Sequence, residues 1–256
     1  MSRTMTRWTI AGMLLILFAL LSGCSTLPVS APDSQPPLRR YEDLVKLPPG
    51  QQPMLAVSDP IQGFNRGAYR FNYYFDKYLF LPVVNGYRFI MPDYAEKRVS
   101  NFYDNIYEIE TFTNSLLQLK FKKTGITTTR FVVNSTVGIA GLWDPATSMG
   151  LHRQEEDFGQ TLGHYGVGNG PYIMLPVAGP SNVRDTTGLV VDSVVMNAID
   201  PLNFDHNEEY EVPFNVLYAV DKRKRIPFRY YGTGSPFEYE LVRMLNTQYR
   251  AFMVED

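Results

Sequence analysis

An all-α fold is predicted for most of this chain by three observations: apolar residues recurring at spacings of three and four, Asp-Pro or Pro-Asp pairs opening those runs, and no alternating run long enough for a sheet. The first helix opens at Ser58-Asp59-Pro60, a cap candidate followed by an early-turn proline. Ile61, Phe64, Ala68, Phe71, Phe75 and Tyr78 then fall at spacings of 3, 4, 3, 4 and 3, one apolar face over about five turns. Pro82 is expected to end it. A second long helix starts at Pro92-Asp93 and carries Val99, Phe102, Ile106 and Ile109, with Phe112, Leu116 and Leu119 extending the stripe. Residues 122–142 are rich in β-branched residues and glycine, so propensity alone favours strand. Helical neighbours on both sides tip the expectation to helix. Asp144-Pro145 repeats the opening signal, and residues 154–179 read as a long glycine-rich loop with room for a hairpin. Helices are expected again over residues 182–199, where Val190, Val191, Val194, Val195, Ala198 and Ile199 crowd one side, over residues 208–225, disturbed by Pro213, and from Ser235-Pro236 to Phe252.

The N-terminus carries a different signal. Arg3 and Arg7 precede the apolar run "WTIAGMLLILFALL", which is too short to span a bilayer at about 20 residues per crossing. Leu21-Ser22-Gly23-Cys24 follows directly and resembles a bacterial lipobox. That resemblance implies cleavage before Cys24 and lipidation of its thiol. By analogy with lipoprotein sorting, Ser25 in place of Asp after the cysteine points to the outer membrane. The expected organisation is therefore a signal peptide at 1–23, a lipidated Pro-rich tether at 24–57, and one helical domain at 58–256.

Composition narrows the function classes. Lys and Arg total 24 against 26 Asp and Glu, a formal charge of −2 that falls to −4 once Arg3 and Arg7 leave with the signal. No nucleic-acid footprint is present. Cys24 is the only cysteine, so no disulfide or zinc thiolate set is expected, and no cofactor or metal. Aromatic residues reach 14%, mostly 17 Tyr and 16 Phe. An aromatic stripe such as that of the first helix is more often core than membrane face. The lipid tether and the flanking Tyr69, Tyr73, Tyr74 and Tyr78, whose amphipathic rings suit an interface, shift the balance toward lipid.

The stretch "HYGVGNGPY" places Gly166, Gly168 and Gly170 at alternate positions. It lacks the following helix start and the Lys-Ser/Thr pair of a phosphate cradle, so it reads as positive-φ turns or close backbone approach. His152, His164 and His206 are too far apart for a helical metal pair, and no nucleophile elbow occurs. His164 with Asp157 or Asp185 is a formal acid-base candidate for a lipid hydrolase. Arg184-Asp185 is open to three readings: a buried ion pair, a helix-start cap, or a headgroup contact. The run Lys222-Arg223-Lys224-Arg225 reads as a solvated helix end, or as a contact for phosphates or an acidic partner.

Five motifs in order, "SDPIQGFNRGAYRFNYYFD", "NFYDNI", "NSLLQ", "RFVVNSTVGIAGLWDPA" and "EDFGQTLGHYGVGNGPYIMLPVAGPSNVRDTTG", resemble the MlaA family of lipoproteins, also called VacJ. The resemblance covers about residues 58–192 and weakens after Asp200. It implies an all-helical, ring-like assembly embedded in the inner leaflet of the outer membrane, with a long glycine-rich hairpin loop. It also implies a role in removing stray phospholipids from the outer leaflet through an amphipathic channel, with a trimeric porin and a soluble periplasmic lipid carrier as partners. Residue by residue, it marks Phe71 and Asn72 as channel-sensitive positions. It marks Phe158, Gly159, Leu162, Gly163, His164, Tyr165, Gly166 and Gly168 as a gating hairpin beside the pore. Arg184 and Asp185 are the headgroup-contact candidates, and Cys24 the lipid anchor. A structural or adaptor lipoprotein that docks on a porin without moving lipid is the alternative.

Overall fold

The computed structural model describes residues 57–203 and 208–255. The signal peptide, Cys24 and nearly all of the tether lie outside the described residues. The helices are α1 (Gln62–Phe75), α2 (Leu81–Ile90), α3 (Asp93–Leu117), α4 (Phe121–Thr136), the short α5 (Pro145–Ser148), α6 (Phe158–His164), α7 (Val183–Ile199), α8 (Glu208–Arg225) and α9 (Glu238–Glu255). One antiparallel hairpin, β1 (Tyr172–Leu175) with β2 (Gly179–Asn182), interrupts them, Tyr172 facing Asn182 and Leu175 facing Gly179. No described helix is long and apolar enough to cross a membrane.

Pro82 does not end the first helix as expected. The π-helical turn Asp76–Phe80 joins α1 to α2, with helical dihedrals at both junctions, and Pro82 is the second residue of α2. A π-turn carries one extra residue, which widens the turn just where a proline ring would clash with the preceding carbonyls. Residues 121–136 are helical despite their β-branched content. Thr124, Thr128, Thr129 and Thr136 each donate their hydroxyl to the carbonyl four residues back, so these polar side chains are satisfied within the helix. The α3–α4 turn is closed by Leu119 at φ 57°, with Leu119 N–H on Leu116 O and Lys120 N–H on Ser115 O.

The segment expected as a gating hairpin is mostly helix. Asp157 caps α6 by accepting from Gln160 N at 2.8 Å, and Phe158 to His164 form two turns. Gly166, at φ 87°, then ends α6: its N–H bonds Gly163 O, and Val167 N–H bonds Leu162 O. The hairpin comes later, at β1 and β2.

Burial is reversed relative to a water-soluble bundle. Along α1 and the π-turn after it the aromatic members of the stripe point outward, with Phe64 58%, Phe71 49% and Tyr78 66% exposed. The buried side of the same helix holds Asn65, Ala68, Tyr69 and Asn72, continued by Asp76. The face of α7 crowded with Leu189, Val190, Val194 and Ile199 is also exposed, while Arg184 and Asp192 of that helix are buried. Across the described residues, buried polar and charged side chains outnumber buried hydrophobic ones. The one apolar cluster is small and aromatic, centred on Tyr69, Tyr172, Met174 and Tyr239.

Candidate functional site

The buried polar groups form a connected interior rather than isolated pairs. Its clearest part surrounds α6. Arg250 of α9 reaches Asp157 with two hydrogen bonds of 2.7 and 2.8 Å, and Asp185 with one of 2.6 Å. Arg184 donates its Nε to the other Asp185 oxygen at 2.8 Å, and Asn182 caps α7 through Asp185 N at 2.8 Å. Asp192 accepts from Phe158 N and Asn114 Nδ2, both at 2.9 Å. Thr161 donates to Asn114 Oδ1 at 2.8 Å, and Gln118 donates to Thr161 and Glu156. Lys120 and Lys123 both pair with the buried Glu156. Burial alone would push the Asp157 carboxyl up, but the Arg250 hydrogen bonds and charge more than offset it and hold it below the ordinary range. For Asp192 burial wins and the carboxyl is raised, helped by the neighbouring Asp157.

Glycines set how closely these elements approach. A Cβ on Gly188 would lie 2.3 Å from Gly159 N and 2.7 Å from its Cα, both backbone atoms that cannot swing away. A Cβ on Gly163 would meet Val254 at 2.6 Å and Arg184 at 2.8 Å. Gly166 and Gly168 have open space instead, so of the sequence candidates only Gly159 and Gly163 serve close packing.

Two asparagines one heptad apart hold the hairpin to α1. Asn65 donates to Tyr172 O at 3.0 Å and accepts from Met174 N at 2.9 Å. Asn72 donates to Leu175 O at 2.9 Å and accepts from Val177 N at 2.7 Å. They satisfy backbone groups on the edge of β1 that would otherwise be buried without partners.

The profile describing the MlaA lipoprotein matches residues 57–253. The chain belongs to the MlaA family. Among relatives, it is 42% identical over 179 residues to an uncharacterized protein of Rickettsia prowazekii, covering 69% of this chain and 70% of the other. It is 40% identical over 139 residues to the intermembrane phospholipid transport system lipoprotein MlaA of Escherichia coli (strain K12), covering 53% of this chain and 55% of that one. A solved chain described under "Structural basis for maintenance of bacterial outer membrane lipid asymmetry" superposes with a TM-score of 0.64 at 31% identity, over 77% of this chain and all of the other.

Within this MlaA fold the sequence candidates separate. Asn72 clamps the hairpin, whereas its neighbour Phe71 faces outward and stacks on Phe75 at 5.9 Å. Phe158, Gly159 and Thr161 sit in the interior network. Leu162 is half-buried, and His164 is exposed with its ring edge-on to Tyr165 at 5.2 Å. Tyr165 donates its hydroxyl to Leu117 O at 2.6 Å, tying the end of α6 to the end of α3. Asp157 and Asp185, the acid partners considered for His164, are both held by Arg250. Arg184-Asp185 is a buried ion pair, the first of its three readings, and the helix cap is Asn182 instead; Arg184 is only 5% exposed.

The basic run at 222–225 is not a uniformly solvated helix end. Arg223 is buried on Asp76 with two bonds of 2.7 Å at the π-turn, Lys224 pairs with Glu96 and Asp221, and Arg225 pairs with Asp104 and Asp221. Sequence reasoning missed Arg250, Asn114, Asp192 and Asn65. Asn65 could have been found, since it shares with Asn72 the face of α1 opposite the aromatic stripe.

Proposed function

We propose that this protein removes phospholipids from the outer leaflet of the outer membrane through an amphipathic path and hands them to a soluble periplasmic carrier, maintaining lipid asymmetry. Family membership, and the phospholipid-transport role named for the Escherichia coli relative, support the general function. The observation that carries the mechanism is the reversed polarity, apolar faces outward and a connected polar interior. A headgroup crossing about 30 Å of hydrocarbon loses its hydration at large cost. A ring of helices in the inner leaflet, apolar where it meets acyl chains and polar within, lets the headgroup exchange water for protein dipoles while its tails stay in the bilayer. On this reading Cys24 anchors the chain to the periplasmic side of the outer membrane. The helix α6 with its Gly166 cap, between the interior network and exposed Tyr165, is the gate. A trimeric porin is the neighbouring partner.

The exposed apolar faces of α1 and α7 also fit an adaptor that only docks on a porin. The two readings separate in one assay: protein in vesicles with isotopically labelled phospholipid, mixed with purified carrier. Label recovered on the carrier supports transport. Stable porin complexes with no label on the carrier overturn it in favour of the adaptor.

A further inference from the structure

One carboxylate at the edge of the polar interior stands without a direct partner. Glu110 on α3 is half-buried, and among the described residues its carboxylate forms no hydrogen bond and no ion pair within 4.0 Å. Facing it from α8 is Lys222, an exposed residue whose ammonium has no ion pair within that distance among the described residues and sits 5.7 Å from the Tyr218 ring centroid. Their charged neighbours are engaged elsewhere: Asp192 of α7 with Asn114 and Phe158, Asp157 at the α6 cap with Arg250, and Arg153 with Asp104. Between them lie two aromatic rings. Tyr107, one turn before Glu110, stacks on Tyr218 at 4.5 Å. Tyr107 also lines a cavity of about 410 Å³ between α3, the end of α7 and α8, shared with Ile106, Met196, Asn197 and Phe214.

An acid and a base that face each other beyond contact distance, with aromatic faces between, match a ligand carrying the opposite charge at each end. We propose that Glu110 and Lys222 are the two poles of a site for a zwitterionic, amine-bearing phospholipid headgroup. The ammonium meets the Glu110 carboxylate and the tyrosine faces, and the phosphate meets Lys222. This rests on the transport reading above and names the lipid class. Burial, then Asp192 and Asp157, push the Glu110 carboxyl up to about 8 against the opposing pull of Lys222 and Arg153. The empty site is therefore protonated at neutral pH, and taking up an ammonium releases that proton to solvent. Affinity for the amine headgroup then rises with pH up to about 8 and levels off.

The test is calorimetry of the detergent-solubilised full chain with dihexanoyl phosphatidylethanolamine and dihexanoyl phosphatidylglycerol, in two buffers of different ionisation enthalpy. The expected result is binding on the order of tenfold tighter for the ethanolamine lipid, with proton release. Glu110→Gln is expected to abolish both the preference and the proton release, and Lys222→Gln to weaken both lipids. Equal affinities in the wild type, or a preference that survives Glu110→Gln, overturn the proposal and leave the transport reading standing. Binding of neither lipid overturns both. If Glu110→Gln does not melt cooperatively, Glu110→Asp replaces it, since retracting the carboxylate by one methylene is expected to reduce the preference; an unchanged preference there overturns the site.

Discussion

Arg250 shows how much one residue can carry in this interior, since its single guanidinium bonds two carboxylates, one of them shared with Arg184. Removing one partner of a buried pair leaves the other charge uncompensated, which costs about 3–5 kcal/mol. Arg250→Met is therefore expected to lower stability by roughly 3 kcal/mol, read from urea midpoints in detergent at neutral pH. The Asp157 carboxyl is depressed in the folded state, so its contribution is present above the unfolded pKa and is lost as pH falls through the folded one. The penalty of Arg250→Met should accordingly shrink in acid; a penalty that stayed constant would contradict the pairing. Glu110 has the opposite sign. Its folded carboxyl sits at about 8, above the unfolded value, so the folded state holds a proton that the unfolded state has lost. Stability falls as pH rises toward 8, and Glu110→Gln is expected to flatten that decline by on the order of 1–2 kcal/mol. Melting curves across the neutral range check it.

At the scale of elements, the α6–α7 contact depends on the absence of side chains. Gly188→Ala puts a methyl into the backbone of Gly159, so the two helices must separate and the Asp192 bond to Phe158 N lengthens. Overpacking of this kind costs about 1–3 kcal/mol, which a shifted unfolding midpoint would show. Gly168→Val meets no atom within 4 Å at its Cβ and has no positive φ, so the same measurement should leave it at wild-type stability. That makes Gly168→Val a clean probe of gating by the glycine-rich segment: lost lipid transfer with an unchanged midpoint supports the gate, and normal transfer makes the segment a simple connection. Gly166 is less clean, because Val there must adopt φ 87°. Element existence was legible in the sequence. The helices from α3 to α9 announce themselves by period and by cap residues such as Asn182 and Asp144, except α4, expected only from its helical neighbours, and α6. Glycines at 159 and 163 disguised α6 as loop, because their low helix propensity is outweighed by packing against α7 and α9.

For the whole molecule, the reversed polarity predicts that membrane association does not rest on the lipid anchor alone. A Cys24→Ala chain should still float with vesicles, held by the outward faces of α1 and α7. Adding Phe64→Ser, Phe71→Ser and Tyr78→Ser should release it, since each exposed aromatic contributes roughly 1–3 kcal/mol of burial in acyl chains. Flotation of the quadruple variant at the level of Cys24→Ala would show that α1 does not face lipid. The described fold is also tied together from far along the chain. Arg223 of α8 seals the π-turn through Asp76, and Arg243 of α9 pairs with Asp59 ahead of α1, so these helices are clamped by charge rather than by a large apolar core.

Taken alone, the sequence determined the helical class and the family, because period, cap chemistry and motif order are local properties of the chain. It also determined that α1 has one aromatic face, but not which way that face points. Only the tertiary structure decided that Phe64 and Phe71 lie outside, and that Asn65, Asn72, Asp76 and, against the interface expectation, Tyr69 lie inside. Amphipathicity has the same period in either solvent, and orientation is fixed by the partners waiting on the other side. Those partners, the edge of β1 and the Arg223 guanidinium, come from more than a hundred residues away.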